Sequence, residues 1–190
     1  MSDPVAPAVT ADLLNADFFS LLGLPKRFAL DQAALDARFR ELQREVHPDR
    51  FAAADDAARR ASMMLATQIN EGYQTLRSPL KRATYLLSLA GVDVGAESNT
   101  AMSPEFLMAQ MEWREQVADA RAEKDLATLK TLEASVCDAI RTSYAELGQN
   151  LDALTPDSAN PSAVEAVRQL MFLEKLHEEI DNAIFDLEDL

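Results

Sequence analysis

Glycine is scarce in this 190-residue chain, which contains only five glycines. Neither of the glycine-rich phosphate-binding patterns, G-x-x-x-x-G-K-[ST] and G-x-G-x-x-G, occurs in the sequence. A nucleotide-hydrolysing or dinucleotide-binding site of these looped types is therefore not expected, so any ATP chemistry connected with this chain belongs to another protein. Together with a hydrophobic content of 48%, the scarcity of glycine favours packed helices over disorder.

Cysteine is also nearly absent. The single residue, Cys137, allows neither an internal disulfide nor a Cys-x-x-Cys metal site, and it fits a reducing cytoplasm. Because Cys137 lies in a helical pattern, we expect it to be packed there. The first ten residues lack the basic start and apolar run of a secretory signal, and no later run approaches membrane-spanning length. We expect a soluble cytoplasmic protein with no membrane partner and a disordered leader over residues 1–15.

Basic residues are few relative to acidic ones. The chain has 18 lysines and arginines against 32 aspartates and glutamates, which gives a formal net charge of −14. Such a chain repels the phosphate backbone, so nucleic acid is not an expected partner.

The apolar spacing predicts helices along the whole chain, and strand-like alternation is nowhere convincing. Asp17 is placed to cap a short helix that Gly23 ends, and Asp31 to cap an amphipathic helix of about four turns. The apolar stripe of this second helix is Leu35, Phe39, Leu42 and Val46. On a helical wheel Arg40 and Arg44 point almost the opposite way, into solvent.

The second helix runs into the sequence REVHPDRF, residues 44–51. Proline has no N–H and disfavours the α region for the residue before it, so the helix has to stop at or near His47. His47, Pro48 and Asp49 are therefore presented in a turn, where functional residues are often found.

A long helix is predicted after the loop AAADDAARR, antiparallel to the helix before the turn. Its predicted buried stripe is Ala57, Ala61, Leu65, Ile69, Tyr73 and Leu76. Ser78-Pro79 is typical of the start of a further helix, which stops at Gly91. Residues 91–101 include two glycines and lack periodicity, so we place a linker there, between a unit over 16–90 and a second unit over 102–190.

The second unit is predicted to be an antiparallel three-helix bundle. Ser103-Pro104 begins a helix that runs to about Ala120, and leucines, valine and isoleucine spaced by three, four and seven mark the next one, from Leu126 to Leu154. Ser162 and Glu165 form a predicted capping box for the last helix. The fold class is therefore all-α.

The turn at His47 allows three interpretations. His47 and Asp49 could act as a general base and its orienting acid, but no nucleophile or oxyanion loop is evident, and the only other histidine is the distant His177. Two adjacent ligands are fewer than zinc requires, so we expect no catalytic residue, no metal and no cofactor. The turn could also be a structural element held by side-chain hydrogen bonds, or a recognition element.

The helix after Ser103 has two apolar faces. Phe106, Trp113 and Val117 fall on the face expected in the core. The second face contains Leu107, Met108 and Met111, next to Glu112, Glu115 and Asp119. A surface helix needs only one apolar face, and methionine is adaptable at interfaces, so a binding patch is one interpretation. The other is that a neighbouring helix, or the first unit, covers this face.

The order of a short helix, an arginine-bearing helix, an HPD turn and a long antiparallel helix resembles a J domain, the module by which co-chaperones stimulate the ATPase of DnaK-type chaperones. That resemblance implies that the turn and the basic face of the preceding helix contact the chaperone. The corresponding residues of this chain are Arg40, Arg44, His47, Pro48 and Asp49. Arg50 stands where the family often has lysine, which preserves the charge.

The segments NEGYQTLRSPLKRATYLLSLAGVDV and FLMAQMEWREQ resemble the HscB family of iron–sulfur assembly co-chaperones, from about Asp17 to the C-terminus. The resemblance implies two partners, an HscA-type chaperone ATPase and an IscU-type iron–sulfur scaffold. The positions that it assigns to scaffold binding are Leu107, Met108, Met111, Glu112, Glu115, Asp119 and Phe172. A general J protein that serves DnaK without a dedicated scaffold remains the alternative.

Overall fold

A computed structural model of the chain describes residues 15–51, 55–95, 102–152 and 161–189. All regular structure within these ranges is helical, which confirms the all-α prediction. The elements are α1 (Phe18–Leu21), α2 (Gln32–Glu45), a 3₁₀ turn (Pro48–Phe51), α3 (Asp56–Arg77), α4 (Pro79–Leu89), α5 (Pro104–Glu123), α6 (Leu126–Asp152) and α7 (Pro161–Glu188). None of the helices in these ranges has the length and apolar character needed to cross a bilayer. Residues 1–14 of the expected leader lie outside the described residues.

The chain divides into two compact units between Leu86 and Leu87, inside α4. Of the segment 91–101, where a linker was expected, only residues 91–95 are described. One contact explains why the residues after α4 belong with the second unit. The Arg168 side chain on α7 donates a hydrogen bond of 2.8 Å from Nε to the Val94 carbonyl oxygen.

The first unit begins with two helices capped as predicted. The Asp17 carboxylate accepts a hydrogen bond of 3.0 Å from the backbone N–H of Ser20, and Asp31 accepts one of 2.9 Å from that of Ala33. Each carboxylate satisfies a backbone donor that has no partner within its helix.

Helix α3 buries a stripe that differs from the predicted one at its start. The predicted members Leu65, Ile69 and Leu76 are buried. Ala57 is exposed, which makes that prediction wrong, because it lies in the first turn of α3, next to the cap Asp55. Two residues without an apolar side chain complete the stripe, Ser62 and Gly72. A Cβ atom at Gly72 would come within 3.1 Å of the Phe18 ring, so glycine permits α1 to pack closely here.

The second unit is the expected bundle, formed by α5, α6 and α7. One cluster of its buried core consists of Val117, Ala120, Leu129, Leu132, Val136, Leu173, Leu176, Ile180, Ala183 and Ile184. The predicted capping box is wrong, because α7 begins at Pro161 and Ser162 already lies in its first turn. The Glu165 carboxylate instead accepts a hydrogen bond of 3.2 Å from the backbone N–H of Ser103, the cap of α5.

Cys137 is exposed on α6, so the prediction that it is packed is wrong. It directly follows the fully buried Val136, and a rotation of about 100° per residue turns it away from the core. Partial desolvation, with the carboxylates of Glu133 and Asp181, raises the pKa of its thiol.

Candidate functional site

The turn after α2 is anchored on both sides. Val46 and Phe51, which flank it, are buried, and the backbone N–H of Arg50 donates a hydrogen bond of 3.0 Å to the His47 carbonyl oxygen. Ser62 on α3 donates a hydrogen bond of 2.7 Å from its hydroxyl to the Val46 carbonyl oxygen. These contacts hold the backbone of the turn in one shape between two antiparallel helices.

The helical hairpin that supports the turn is joined by further contacts between α2 and α3. The rings of Phe39 and Tyr73 stack with their centroids 3.9 Å apart, and the Tyr73 hydroxyl donates a hydrogen bond of 3.0 Å to Asp36. One turn before the HPD residues, Gln43 donates a hydrogen bond of 2.7 Å to Asn70. Phe39 and Tyr73 belong to the apolar stripes predicted from the sequence, whereas the polar partners Asp36, Gln43 and Asn70 were not predicted.

His47 and Asp49 both face solvent, with 59% and 90% of their side chains exposed. Nδ1 of His47 lies 3.3 Å from the backbone N–H of Asp49, from which it accepts a hydrogen bond, and 3.4 Å from the Asp49 carboxylate. The backbone N–H of Asp49 thus orients the imidazole, and the exposed Asp49 carboxylate remains available to a partner. The turn is therefore stabilised by a hydrogen bond to the His47 side chain and remains accessible to a partner protein.

The surroundings of His47 do not supply a catalytic or metal site. In the described parts of the chain, the hydrogen bond to the imidazole and its close carboxylate contact both come from Asp49. Only one group of three metal-ligating side chains converges within those parts, and it does not include His47. With two adjacent groups in solvent, the arrangement lacks the nucleophile or third ligand that catalysis or zinc binding needs.

Three arginines surround the exposed histidine. Arg40, Arg44 and Arg50 are exposed, and no described carboxylate lies within ion-pair distance of any of them. Other arginines of this unit are paired, such as Arg38 with Glu41 and Arg59 with Asp56. A shallow depression of about 510 Å³ is lined by Arg40, Gln43, Arg44, His47 and Arg50. A chain with a net charge of −14 thus has a local cationic surface, which we call the basic face.

The second face of α5 is exposed. Leu107, Met108 and Met111 expose 42%, 63% and 73% of their surface, so the other described helices of the second unit leave much of each side chain exposed. Phe106, Trp113 and Val117 pack on the core as expected. Glu112, Glu115 and Asp119 are exposed beside the apolar residues. We call these six exposed residues, together with Phe172, the α5 patch.

Phe172 joins the α5 patch from α7. Its half-buried ring packs edge-to-face against Phe106, the residue before Leu107, with centroids 5.8 Å apart. The guanidinium of Arg114 lies over the same ring, 5.3 Å from its centroid. A cavity of about 260 Å³ beside Phe172 is also lined by Arg114, Arg168 and Lys175. Arg114 was not predicted from the sequence, although its spacing on α5 places it between the two apolar faces.

Comparison with known proteins gives consistent matches over nearly the whole chain. A family model described as the HSCB C-terminal oligomerisation domain matches residues 102–181. A protein of Paraburkholderia xenovorans named "Co-chaperone protein HscB homolog" is 54% identical over 176 residues, which are 93% of this chain and 98% of that protein. A protein of the same name from Burkholderia mallei is 55% identical over 92% of this chain and 98% of its own length.

Solved structures agree with these matches. The chaperone HscB from Vibrio cholerae superposes with a TM-score of 0.78 at 37% identity, over 90% of this chain and 99% of that one. The human co-chaperone protein HscB superposes with a TM-score of 0.79 at 28% identity, over 88% of this chain and 82% of that one. The two bacterial homologues and the human protein are named as co-chaperones, and the Vibrio cholerae protein as a chaperone.

Proposed function

The chain belongs to the HscB family of co-chaperones, and on that premise we propose that it stimulates the ATPase of an HscA-type chaperone and delivers an IscU-type iron–sulfur scaffold to it. It acts in the cytoplasm, performs no reaction of its own and needs no cofactor. The observation that supports this most directly is the exposed, hydrogen-bonded turn at His47 beside the exposed Arg40, Arg44 and Arg50.

The basic face is the proposed chaperone-binding surface. Arg40 and Arg44 steer encounter with an acidic surface on the ATPase, and His47, Pro48 and Asp49 dock as a preformed turn. Because the backbone of the turn is already fixed by Val46, Phe51 and Ser62, little conformational entropy is lost on docking. The turn accelerates hydrolysis by binding the hydrolysis-competent chaperone conformation more tightly than the resting one.

The α5 patch is the proposed scaffold-binding surface. Its exposed leucine and methionines offer apolar area that adapts to a partner, and the exposed acids at its edge favour a partner with a cationic rim. Phe172 is a suitable anchor, because Phe106 and Arg114 restrict its ring before binding. With both surfaces on one chain, binding of the scaffold to the chaperone becomes effectively intramolecular.

The test measures ATP turnover by a purified HscA-type chaperone with this chain, with the scaffold, and with both. We expect stimulation by the chain alone and a further rise when the scaffold is added. Equal stimulation of DnaK, combined with no binding of the scaffold in calorimetry, would instead support the general J protein. Turnover of a hydrolase substrate by the chain without any chaperone would contradict the proposal and restore a catalytic role for His47.

A further inference from the structure

The antiparallel pairing of α6 and α7 brings together four side chains that no part of the proposed function uses. Glu133 and Cys137 are one turn apart on α6, and His177 and Asp181 are one turn apart on α7. Sγ of Cys137 lies 2.9 Å from Nε2 of His177, and Nδ1 of the same ring lies 3.2 Å from the Asp181 carboxylate. Ligand atoms of Glu133, His177 and Asp181 all lie within 4.8 Å of one another.

We propose that Glu133, His177 and Asp181 form a binding site for one divalent transition-metal ion of the Zn²⁺ class, and that Cys137 positions the imidazole. An imidazole nitrogen with two carboxylate oxygens is a donor set that zinc accepts, with one coordination position left for water. The imidazole also distinguishes this group from an exposed cluster of acids, because nitrogen ligands favour transition metals over Mg²⁺ and Ca²⁺.

The geometry requires only side-chain adjustment. Tetrahedral zinc with bonds of about 2.1 Å places its ligand atoms about 3.4 Å apart. Glu133 and His177 are half-buried and Asp181 is exposed, so the two carboxylates are free to rotate towards the ring. The helices beneath do not move, because Val136 and Ile180, adjacent to Cys137 and Asp181, are fully buried in the bundle core.

Cys137 has a defined role in this site. Nδ1 is the ring nitrogen beside Asp181, and it takes the metal, while Nε2–H donates a hydrogen bond to the cysteine sulfur. A hydrogen bond at the second ring nitrogen fixes the tautomer and orientation of a metal-binding histidine. Cys137 is therefore a positioning residue and not a ligand.

The experiment uses the full chain after removal of metals by a chelator, with ZnCl₂ titrated by calorimetry and CoCl₂ by visible absorption. We expect one Zn²⁺ per chain, a rise in the thermal midpoint on binding, and no comparable binding of Mg²⁺. His177→Ala, Glu133→Gln and Asp181→Asn should each weaken Zn²⁺ binding at least about tenfold. Circular dichroism verifies that the variants remain helical, and the two carboxylate variants test the site even if His177→Ala does not fold.

The controls are the nearby acids Asp138→Asn on α6 and Glu178→Gln on α7, which should leave binding unchanged. Wild-type affinity in the His177, Glu133 and Asp181 variants would overturn the site, as would loss of binding in His47→Ala. Cys137→Ser should retain the stoichiometry with a smaller loss of affinity. An intense sulfur-to-cobalt charge-transfer band in the wild type, absent from Cys137→Ser, would overturn the role assigned to the thiol.

Discussion

The Ser62 hydroxyl donates a hydrogen bond of 2.7 Å to the Val46 carbonyl oxygen, and both residues are buried. Val46 is the C-cap of α2, and its carbonyl is among those that the end of a helix leaves without an intrahelical partner. The bond therefore satisfies a buried acceptor and ties the first side of the His47 turn to α3. This explains why a serine occupies a position that the apolar stripe of α3 would otherwise fill.

Ser62→Ala should destabilise the first unit by about 1–3 kcal/mol, because the buried Val46 carbonyl loses its donor. The matched control is Thr67→Ala, which removes an exposed hydroxyl that bonds only within α3. Urea unfolding followed by circular dichroism should show the lower free energy of unfolding. Trp113 is the only tryptophan and lies in the second unit, so the urea midpoint measured by its fluorescence should not shift. Equal effects of the two variants would contradict the anchoring role.

Asp49→Asn should reduce stimulation of the chaperone ATPase at least about tenfold, because a charged group at a docked interface is lost without a change of shape. The thermal midpoint should not change, since the Asp49 side chain is 90% exposed. Glu71→Gln, which removes an exposed charge from α3, should leave the stimulation intact. Undiminished stimulation by Asp49→Asn would show that this carboxylate does not take part in docking.

Arg40→Ala combined with Arg44→Ala should slow association with the chaperone roughly three- to tenfold at low salt. The difference from the wild type should shrink as ionic strength rises, because exposed charges are then screened. Stopped-flow binding at several salt concentrations measures both effects. Arg59→Ala is the control, since Arg59 is already paired with Asp56. If this variant slowed association as much as the double variant does, the association rate would depend on total charge and not on the basic face.

Much of the architecture could be predicted because its determinants are local. Asp17 and Asp31 begin helices through hydrogen bonds to residues two or three positions away, and a helical wheel separates the two faces of α5 without knowledge of the rest of the fold. The predicted stripe of α3 omitted Ser62, because hydrophobicity alone cannot identify a buried serine. That serine is buried only because the Val46 carbonyl supplies a partner.

The remaining features arise from pairing between helices. The hydrogen bond between Cys137 and His177 joins residues 40 positions apart, and the contact of Arg114 with Phe172 joins α5 to α7. Which turn of one helix faces which turn of another depends on how the whole bundle packs. The periodicity of each helix fixes its buried face but not that register, so the group around His177 was not anticipated.

Met108→Ala combined with Met111→Ala should weaken scaffold binding about tenfold or more, as expected for apolar contacts near the centre of an interface. The chain offers a matched control in Met63→Ala with Met64→Ala, two methionines of α3 that are 63% and 58% exposed. Calorimetry with the purified IscU-type scaffold measures the affinity, and circular dichroism verifies that helicity is kept. If both double variants lost a similar amount of affinity for the scaffold, the binding would be non-specific apolar association and not binding at the α5 patch.

The stability of the second unit should depend on the charge of Asp125, which immediately precedes α6. Hydrogen bonds from the Thr128 hydroxyl (2.6 Å) and the Thr128 backbone N–H (3.0 Å) lower the pKa of this carboxyl. Since the folded pKa lies below the unfolded one, the carboxylate stabilises the fold at neutral pH. That contribution is lost as the pH falls through the folded pKa.

Asp125→Asn keeps a side-chain oxygen that caps α6 but cannot titrate. The wild type should therefore be the more stable of the two at neutral pH, and the difference should narrow as the pH falls below the usual range for aspartate. Urea unfolding followed by Trp113 fluorescence at a series of pH values measures this. A difference that stays constant with pH would mean that the shape of the cap, and not its charge, stabilises the start of α6.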